Sequence, residues 1–325
     1  NSLVVRKEAT EGKEKLIDEI QFILSLPENV KKYFPEILNY EINIDKVYFE
    51  MKYYPLKTLT HCLFDNEINS DQTLIILKNV FDFMFKEIYS RNIKLPISDM
   101  VNKVHFERVD KRFKETCDKA SIFKDIIFGH DKIIINGHEL YNAPIIMRKL
   151  NDNQSFKKKL NPEAVSLFHG DLHFDNILVD KNDFTNFILL DPRGRTWGCS
   201  VEGDYAYDLG KIWHSINGLY DYLHDNRFYL NYKKSQLIEG YIEIQKNKAY
   251  EEYKKLIHSV PNLLLKYERI KNDPTWEIRT RFSEITHFLS MLPFHLRRDG
   301  KESKAIAMYF VSILLLNKFL EDYGL

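Results

Sequence analysis

The sequence predicts an α+β protein in two unequal parts: a small β-rich part over residues 1–55 and a larger, mainly helical part over 56–325. Three observations predict it. Before the break at Tyr53-Tyr54-Pro55-Leu56 the order is strand, helix, strand, strand. From Leu59 onward, apolar residues recur mostly at spacings of three and four, the period of an α-helix with one buried face. In between, Ser166–Gly194 reads as strand, polar loop, strand, turn, strand, acidic loop, with Asn182-Asp183 at the turn.

The elements follow in order. Leu3–Val5 reads as a short strand. A helix over Glu11–Leu26 places Leu16, Ile20, Ile23 and Leu24 on one face and stops at Pro27. Strands are expected at Ile37–Ile44 and Val47–Tyr53, joined by a turn at 43–46. Ser70-Asp-Gln-Thr caps a helix running to about Ser90, with Leu74, Ile75, Leu77, Val80, Phe81, Met84 and Ile88 on its apolar side. The charged residues of Ile97–Ile127 sit at helical spacing and suit a solvated helix face. Asn136-Gly137 between apolar runs signals a hairpin that edges the fold. Helices are then expected over Ile145–Leu160, Asp204 to about Leu223, Lys234–Leu256, Pro261–Glu268, Trp276–Leu292 and Lys301–Tyr323. Pro274, Pro293 and Gly300 punctuate the last of these.

Composition excludes several classes. The 325 residues suffice for one large or two medium units with a substantial core. Apolar residues make up 44% of the chain, with 19 Tyr and 22 Phe, which excludes a disordered protein. Lys+Arg and Asp+Glu balance at 47 each, so no overall field favours nucleic acid. No secretory signal and no apolar run of membrane-spanning length is read. Cys62, Cys117 and Cys199 are odd in number and far apart, which fits neither a disulfide scaffold nor a zinc site and suits a cytoplasmic protein.

The chemistry is concentrated in the central stretch. His169-Gly-Asp171 is followed, after four residues, by Asn176, and Asp191-Pro-Arg193-Gly closes the next loop. This is the spacing of a protein-kinase catalytic loop and metal loop. Two loops fixed by paired strands bring a carboxylate, a carboxamide and a second carboxylate toward one point. Downstream, Gly203-Asp-Tyr-Ala-Tyr-Asp208-Leu-Gly-Lys opens a helix.

These residues resemble the aminoglycoside phosphotransferase and choline kinase-like family of small-molecule kinases, most specifically over roughly 165–215. The resemblance implies a bilobal protein-kinase-like fold, with residues 1–55 as nucleotide-binding lobe and 56–325 as catalytic and substrate-binding lobe. It implies ATP or another nucleoside triphosphate, Mg²⁺, and a small-molecule acceptor. Asp171 would orient or deprotonate the acceptor hydroxyl, and Asn176 and Asp191 would hold the metal. Lys7, steadied by Glu19, would contact the phosphates, with Arg6 and Glu14 competing for those roles. Backbone groups around Met51, Tyr53 and Tyr54 would meet the base. His169, Arg193 and Asp208 would support the loops. His173, Tyr207 and His214 are acceptor-site candidates, with Tyr220 beside them in sequence. His287, His295, Arg297 and Arg298 read as cations at a helix end.

The chain opens on Asn1 without the glycine-rich hairpin that the kinase plan puts before the lysine strand. A fragment of a longer polypeptide is therefore expected, which leaves room for a fused upstream domain. The acceptor is expected to be a sugar, a choline- or ethanolamine-like amino alcohol, or an aminoglycoside-like compound, with bacterial surface-polysaccharide metabolism as one setting. Two rival readings stand beside this one. Gly170-Asp-Leu-His-Phe-Asp175 resembles one element of metal-dependent phosphohydrolases, whose other elements are absent from the sequence. A non-catalytic, pseudokinase-like nucleotide-binding module draws on the missing hairpin alone.

Overall fold

A computed structural model describes residues 3–195, 201–299 and 302–325; Cys199, Gly300 and the side chains of Arg297 and Arg298 lie outside the described residues. The fold is α+β, with small sheets set among helices.

Strand β1 (Val4–Ala9) is longer than expected and carries Lys7 in its middle. It pairs antiparallel with β3 (Val47–Lys52), which pairs with β2 (Ile37–Ile42). Helix α1 (Lys13–Ser25) connects β1 to the rest. Its apolar spacing does what an amphipathic helix must. Leu16 and Ile20 pack on Val47 and Phe49 of the sheet. Phe22 and Ile23 join the main core on the other side. Glu19 lies on that same buried face and is 2% exposed, which a carboxylate tolerates only with a partner. Pro27 ends α1 and leads into the short α2 (Glu28–Lys31).

Strand β4 (Lys57–Thr58) runs into α3 (Leu59–Phe64), capped by the Thr58 hydroxyl. The cap of helix α4 (Ser70–Phe83) is Asn69, one residue before the predicted Ser70: Asn69 and Gln72 form a reciprocal capping box. It ends in a π turn over Met84–Ile88. A second π turn, Asn102–Glu107, opens α5 (Arg108–Lys119), and α6 (Ile122–Phe128) follows. Strands β5 (Lys132–Ile135) and β6 (His138–Tyr141) form the expected hairpin, with Asn136 and Gly137 both at positive φ. The single helix expected over Ile145–Leu160 is two, α7 (Ala143–Asp152) and α8 (Gln154–Leu160); the Asn153 side chain caps the second.

Three strands frame the central stretch: β7 (Ser166–Leu167), β8 (Ile177–Asp180) and β9 (Asp183–Leu189). Strand β8 is flanked by β4 and β9, and β7 pairs with β10 (Glu202–Gly203). Helix α9 (Tyr205–Ile216) starts at Asp204 as predicted, but ends before Gly218. The short α10 (Tyr220–His224) is separate.

The helix expected over Lys234–Leu256 is wrong in its first half. Strands β11 (Phe228–Lys234) and β12 (Ile238–Ile244) form a hairpin there. Helix α11 (Lys248–Leu264) begins only after it and runs through Pro261. Ile238, Gly240 and Ile242 are buried while Glu239 and Tyr241 face outward, a period of two that the helical reading overlooked. β12 also runs parallel to β5, giving a four-stranded sheet in the order β11-β12-β5-β6. The 136–137 hairpin is therefore half of this sheet, with only β6 at its edge. Asn136 stitches the two hairpins, donating to the Ile242 carbonyl at 3.0 Å and accepting from the Ile242 N–H at 2.8 Å.

Helix α12 (Glu268–Lys271) precedes α13 (Trp276–Asp299), which passes through Pro293 instead of stopping there. His287 thus lies inside a helix, not at its end. The last helix, α14 (Glu302–Tyr323), is long and apolar enough to cross a membrane by length and composition, contrary to the expectation of no such run. In the structure Ala305, Ile306, Met308, Tyr309, Phe310 and Ile313 are buried, as part of a second core shared with α5–α8 and α13. The first core lies around α4, α9, α11 and the central strands.

Candidate active site

Two loops meet on the first core, to which Phe168, Leu172, Phe174 and Leu189 belong, and main-chain hydrogen bonds tie them together. The Arg193 N–H donates to the His169 carbonyl at 2.8 Å, and the Leu190 N–H donates to the Asn176 carbonyl at 2.8 Å. The Asn176 amide donates to the Asp171 carbonyl at 2.9 Å. Asp171, Asn176 and Asp191 are thus held on one framework. Backbone conformation assists. Gly170 has φ +85°, and a Cβ there would lie 2.8 Å from the Arg193 Cβ, so glycine is required. Asp191 has φ 57°, a left-handed conformation that Asp accepts more readily than most residues.

The first loop hangs on Asp208. One carboxylate oxygen accepts from the His169 N–H at 2.7 Å, the other from the Gly170 N–H at 2.7 Å. The Tyr89 hydroxyl adds a bond at 3.2 Å. Asp208 is fully buried, and burial raises its pKa to about 7 against the pull of these donors. Its helix is anchored in turn. Asp204 accepts from the Ala206 N–H as N-cap and receives Arg279, 2% exposed, at 2.7 Å. Arg279 also pairs with Asp273 at 2.7 Å.

Lys7 crosses from β1 to the second loop. Its Nζ lies 2.6 Å from Glu19 and 2.8 Å from Asp191. The structure therefore joins Lys7, Glu19 and Asp191; Arg6 instead pairs with Glu8 and Glu50 on the exposed side of the strand. Burial raises the Glu19 pKa to about 7, with Lys7 pulling it down. Burial lowers the Lys7 pKa, but Glu19 and Asp191 outweigh it and hold the value above the ordinary one.

Asp171 is 8% exposed. Lys211 reaches it at 2.9 Å and Arg193 at 3.4 Å, with His173 Nε2 at 4.0 Å. Burial alone would raise its pKa; Lys211 and Arg193 hold it well below the usual carboxylate range. Burial lowers the pKa of His169 to about 4 and likewise that of His173 to about 4, so both rings are neutral near pH 7.

The acceptor candidates divide. His173 stands at the loop, edge-on to Tyr220 at 5.4 Å. Tyr207 and His214 are enclosed, at 3% and 0% exposure. Tyr207 accepts from Arg108 at 2.6 Å, and His214 stacks on Tyr220 at 4.4 Å. His287 contacts the Tyr207 carbonyl at 3.2 Å and belongs to this buried group. In the 51–54 stretch, Met51 pairs with Val5 inside the sheet. The Lys52 and Tyr53 N–H groups are spent on the Glu36 and Leu3 carbonyls, and the Tyr54 hydroxyl accepts from the Glu36 N–H. A cavity of about 650 Å³ opens on the other flank of α1, bounded by Asp18, Phe22, Arg91 and Arg195 and by none of the three loop residues.

Sequence reasoning gave no role to Lys211, Arg108 or Tyr89. Lys211 sat inside the quoted Asp-Leu-Gly-Lys run, three residues after Asp208. Its signal was a cation on an otherwise apolar helix. Arg108 and Tyr89 carried none, because their partners lie about a hundred residues away in sequence.

No family model matches the chain, and no curated protein matches it. Among solved structures the chain is similar to an aminoglycoside-3'-phosphotransferase of type VIII, at 13% identity and a TM-score of 0.41, over 97% of this chain and 84% of that one.

Proposed function

We propose that the protein is an ATP- and Mg²⁺-dependent phosphotransferase that moves the γ-phosphoryl group to a hydroxyl of a small molecule. The observation that carries this reading is Lys7 bridging Glu19 and Asp191 on a loop bonded to the Asp171–Asn176 loop. Phosphoryl transfer asks for this arrangement: a cation for phosphate oxygens, oxygen ligands for a metal, and a carboxylate facing the nucleophile.

The donor set fits Mg²⁺, which takes carboxylate and amide oxygens. Asp191 offers a carboxylate that is 38% exposed. The Asn176 amide nitrogen is committed to the Asp171 carbonyl, so its oxygen is the atom left for a ligand. When bound, the ion neutralises charge on the phosphates. Lys7, steadied by Glu19, positions a phosphate oxygen. Asp171, paired with Lys211 and Arg193, stays ionised and is a weak base. Its part is to orient the acceptor hydroxyl and take the proton as the bond to phosphorus forms. In a loose transition state that suffices. As the sequence resemblance implies, Met51, Tyr53 and Tyr54 would meet the base, and residues 1–55 would form the nucleotide-binding lobe. A sugar or amino alcohol acceptor, and a setting in surface-polysaccharide metabolism, rest on the sequence resemblance.

The test is ATP-dependent product formation over a panel of hydroxyl acceptors. Asp171→Asn should lower turnover about 10²–10³-fold with Mg·ATP binding near wild type. Asp191→Ala should lose both. Wild-type rates in both variants contradict the proposal. Nucleotide-dependent stabilisation without transfer would favour a non-catalytic binding module. One observation speaks for a phosphohydrolase: ligand atoms of His173, Asp175 and Asp221 lie within 4.8 Å of one another. Asp221, however, is already bonded to Tyr253 at 2.7 Å and Ser215 at 3.3 Å. Mn²⁺-dependent phosphatase activity that survives Asp191→Ala would favour that reading.

A further inference from the structure

We infer that the acceptor is an anion: a hydroxyl compound that also carries a carboxylate or a phosphate, and not a neutral sugar or a cationic amino alcohol. The inference rests on the phosphotransferase reading and narrows its acceptor.

The argument is a charge census around Asp171. Two cations meet it directly, and a third stands beside Tyr207. Lys211 lies 2.9 Å from one carboxylate oxygen and Arg193 lies 3.4 Å from the other. Arg108, 4% exposed, donates to the Tyr207 hydroxyl at 2.6 Å, and Arg193 and Lys211 act on that same hydroxyl. One carboxylate cannot balance three cations. The Nε atoms of Arg108 and Arg193 are both buried and without a hydrogen-bond partner. Buried donors of this kind are normally satisfied, so they mark a place where an acceptor group belongs.

The other nearby carboxylates do not restore the balance. Asp208 faces the loop backbone, and both its oxygens are taken by N–H donors. Asp191 is held by Lys7. Asp175 accepts from Thr58 Oγ1 at 3.1 Å, on the β4 side. Asp221 is 1% exposed, with a pKa that burial lifts to about 8. The histidines add no negative charge. His214 is fully enclosed with neither ring nitrogen bonded. Tyr207 reports the sign of the local field: burial pushes its hydroxyl pKa up, yet Arg108, Arg193 and Lys211 together bring it below the ordinary value. A field that eases loss of the Tyr207 proton also favours a carboxylate or a phosphate. In this enclosed setting a cationic acceptor would meet unscreened repulsion.

The experiment uses the full chain with Mg·ATP and four acceptors on one hexose skeleton: glucose, gluconate, glucose 6-phosphate and glucosamine. Product is read by mass spectrometry and ADP release. The expected result is that gluconate or glucose 6-phosphate has a kcat/KM at least about tenfold above both others. Which of the two leads tells carboxylate from phosphate. Arg108→Met should raise KM for that acceptor while KM for ATP stays close to wild type, and Arg108→Lys should restore most of the loss. The inference is overturned if glucose or glucosamine is the best substrate, or if neither anion is phosphorylated by protein that binds Mg·ATP. It is also overturned if Arg108→Lys, folded by its melting curve, shifts KM for ATP as much as that for acceptor. Failure to bind Mg·ATP at all would sink the phosphotransferase reading beneath it.

Discussion

Two buried aspartates, Asp171 and Asp208, sit at the ends of one short hydrogen-bonded chain and are driven in opposite directions. Asp171 meets two cations and is held ionised. Asp208 meets neutral N–H donors, and burial takes its pKa to about 7. Charge partners and dipoles both satisfy a carboxylate, but only the first offsets the full loss of solvation. Under the proposed function, the difference separates the residue facing the acceptor from the one that holds its loop in place. Asp208→Ala would leave the His169 and Gly170 N–H groups buried without an acceptor. The expected cost is about 3 kcal/mol of stability, with turnover falling and Mg·ATP binding preserved; thermal melts and titration of the nucleotide measure both. Unchanged melting would show that the loop holds itself. Much at this scale was legible. Asp171, Asn176 and Asp191 stand out by spacing and Asp208 by the resemblance, because loop chemistry is written in contiguous residues. Lys211 and Arg108 were not, because a buried cation is recognised by its partner, and the partner is distant.

At the scale of elements, α9 holds the first loop through Asp208, and α13 packs along α9. Gly210 of α9 lets the helices approach closely: a Cβ there would sit 2.6 Å from the Ser283 Cβ. One helical residue along, Glu284 is fully buried, bonded to the Asn217 amide at 2.7 Å and near Arg281 at 3.4 Å. Burial raises its pKa to about 7, against Arg281 and Asn217. An acid with a raised pKa in the folded state gives stability that is full below its unfolded value and is lost as pH climbs through the folded one. Glu284 therefore costs the protein roughly 3 kcal/mol between about pH 4.5 and pH 7. Glu284→Gln should remove that loss, so the melting temperature of the variant gains on wild type across this window. Parallel pH profiles would contradict the assignment. The same helices show where sequence periodicity fails. Pro293 reads as a stop but stands inside α13, where packing overrides local propensity. Strand β12 reads as helix because its short alternating run abuts a true helix, and period is hard to judge over seven residues.

At the scale of the whole molecule, the α+β class was legible from one end of the chain to the other. The arrangement of its two cores was not. The four-stranded sheet forms only when β12 meets β5 about a hundred residues upstream, and no local pattern announces such a pairing. The central claim is also a long-range one: Lys7 and Asp191, 184 residues apart, meet at 2.8 Å. Their meeting makes sense as one half of a metal–nucleotide site. The direct measurement is ATP binding by calorimetry, with and without Mg²⁺, for wild type and Asp191→Ala. The account predicts that Mg²⁺ strengthens ATP binding to wild type and that Asp191→Ala abolishes this Mg²⁺ dependence. ATP binding that ignores both the metal and the substitution would contradict it.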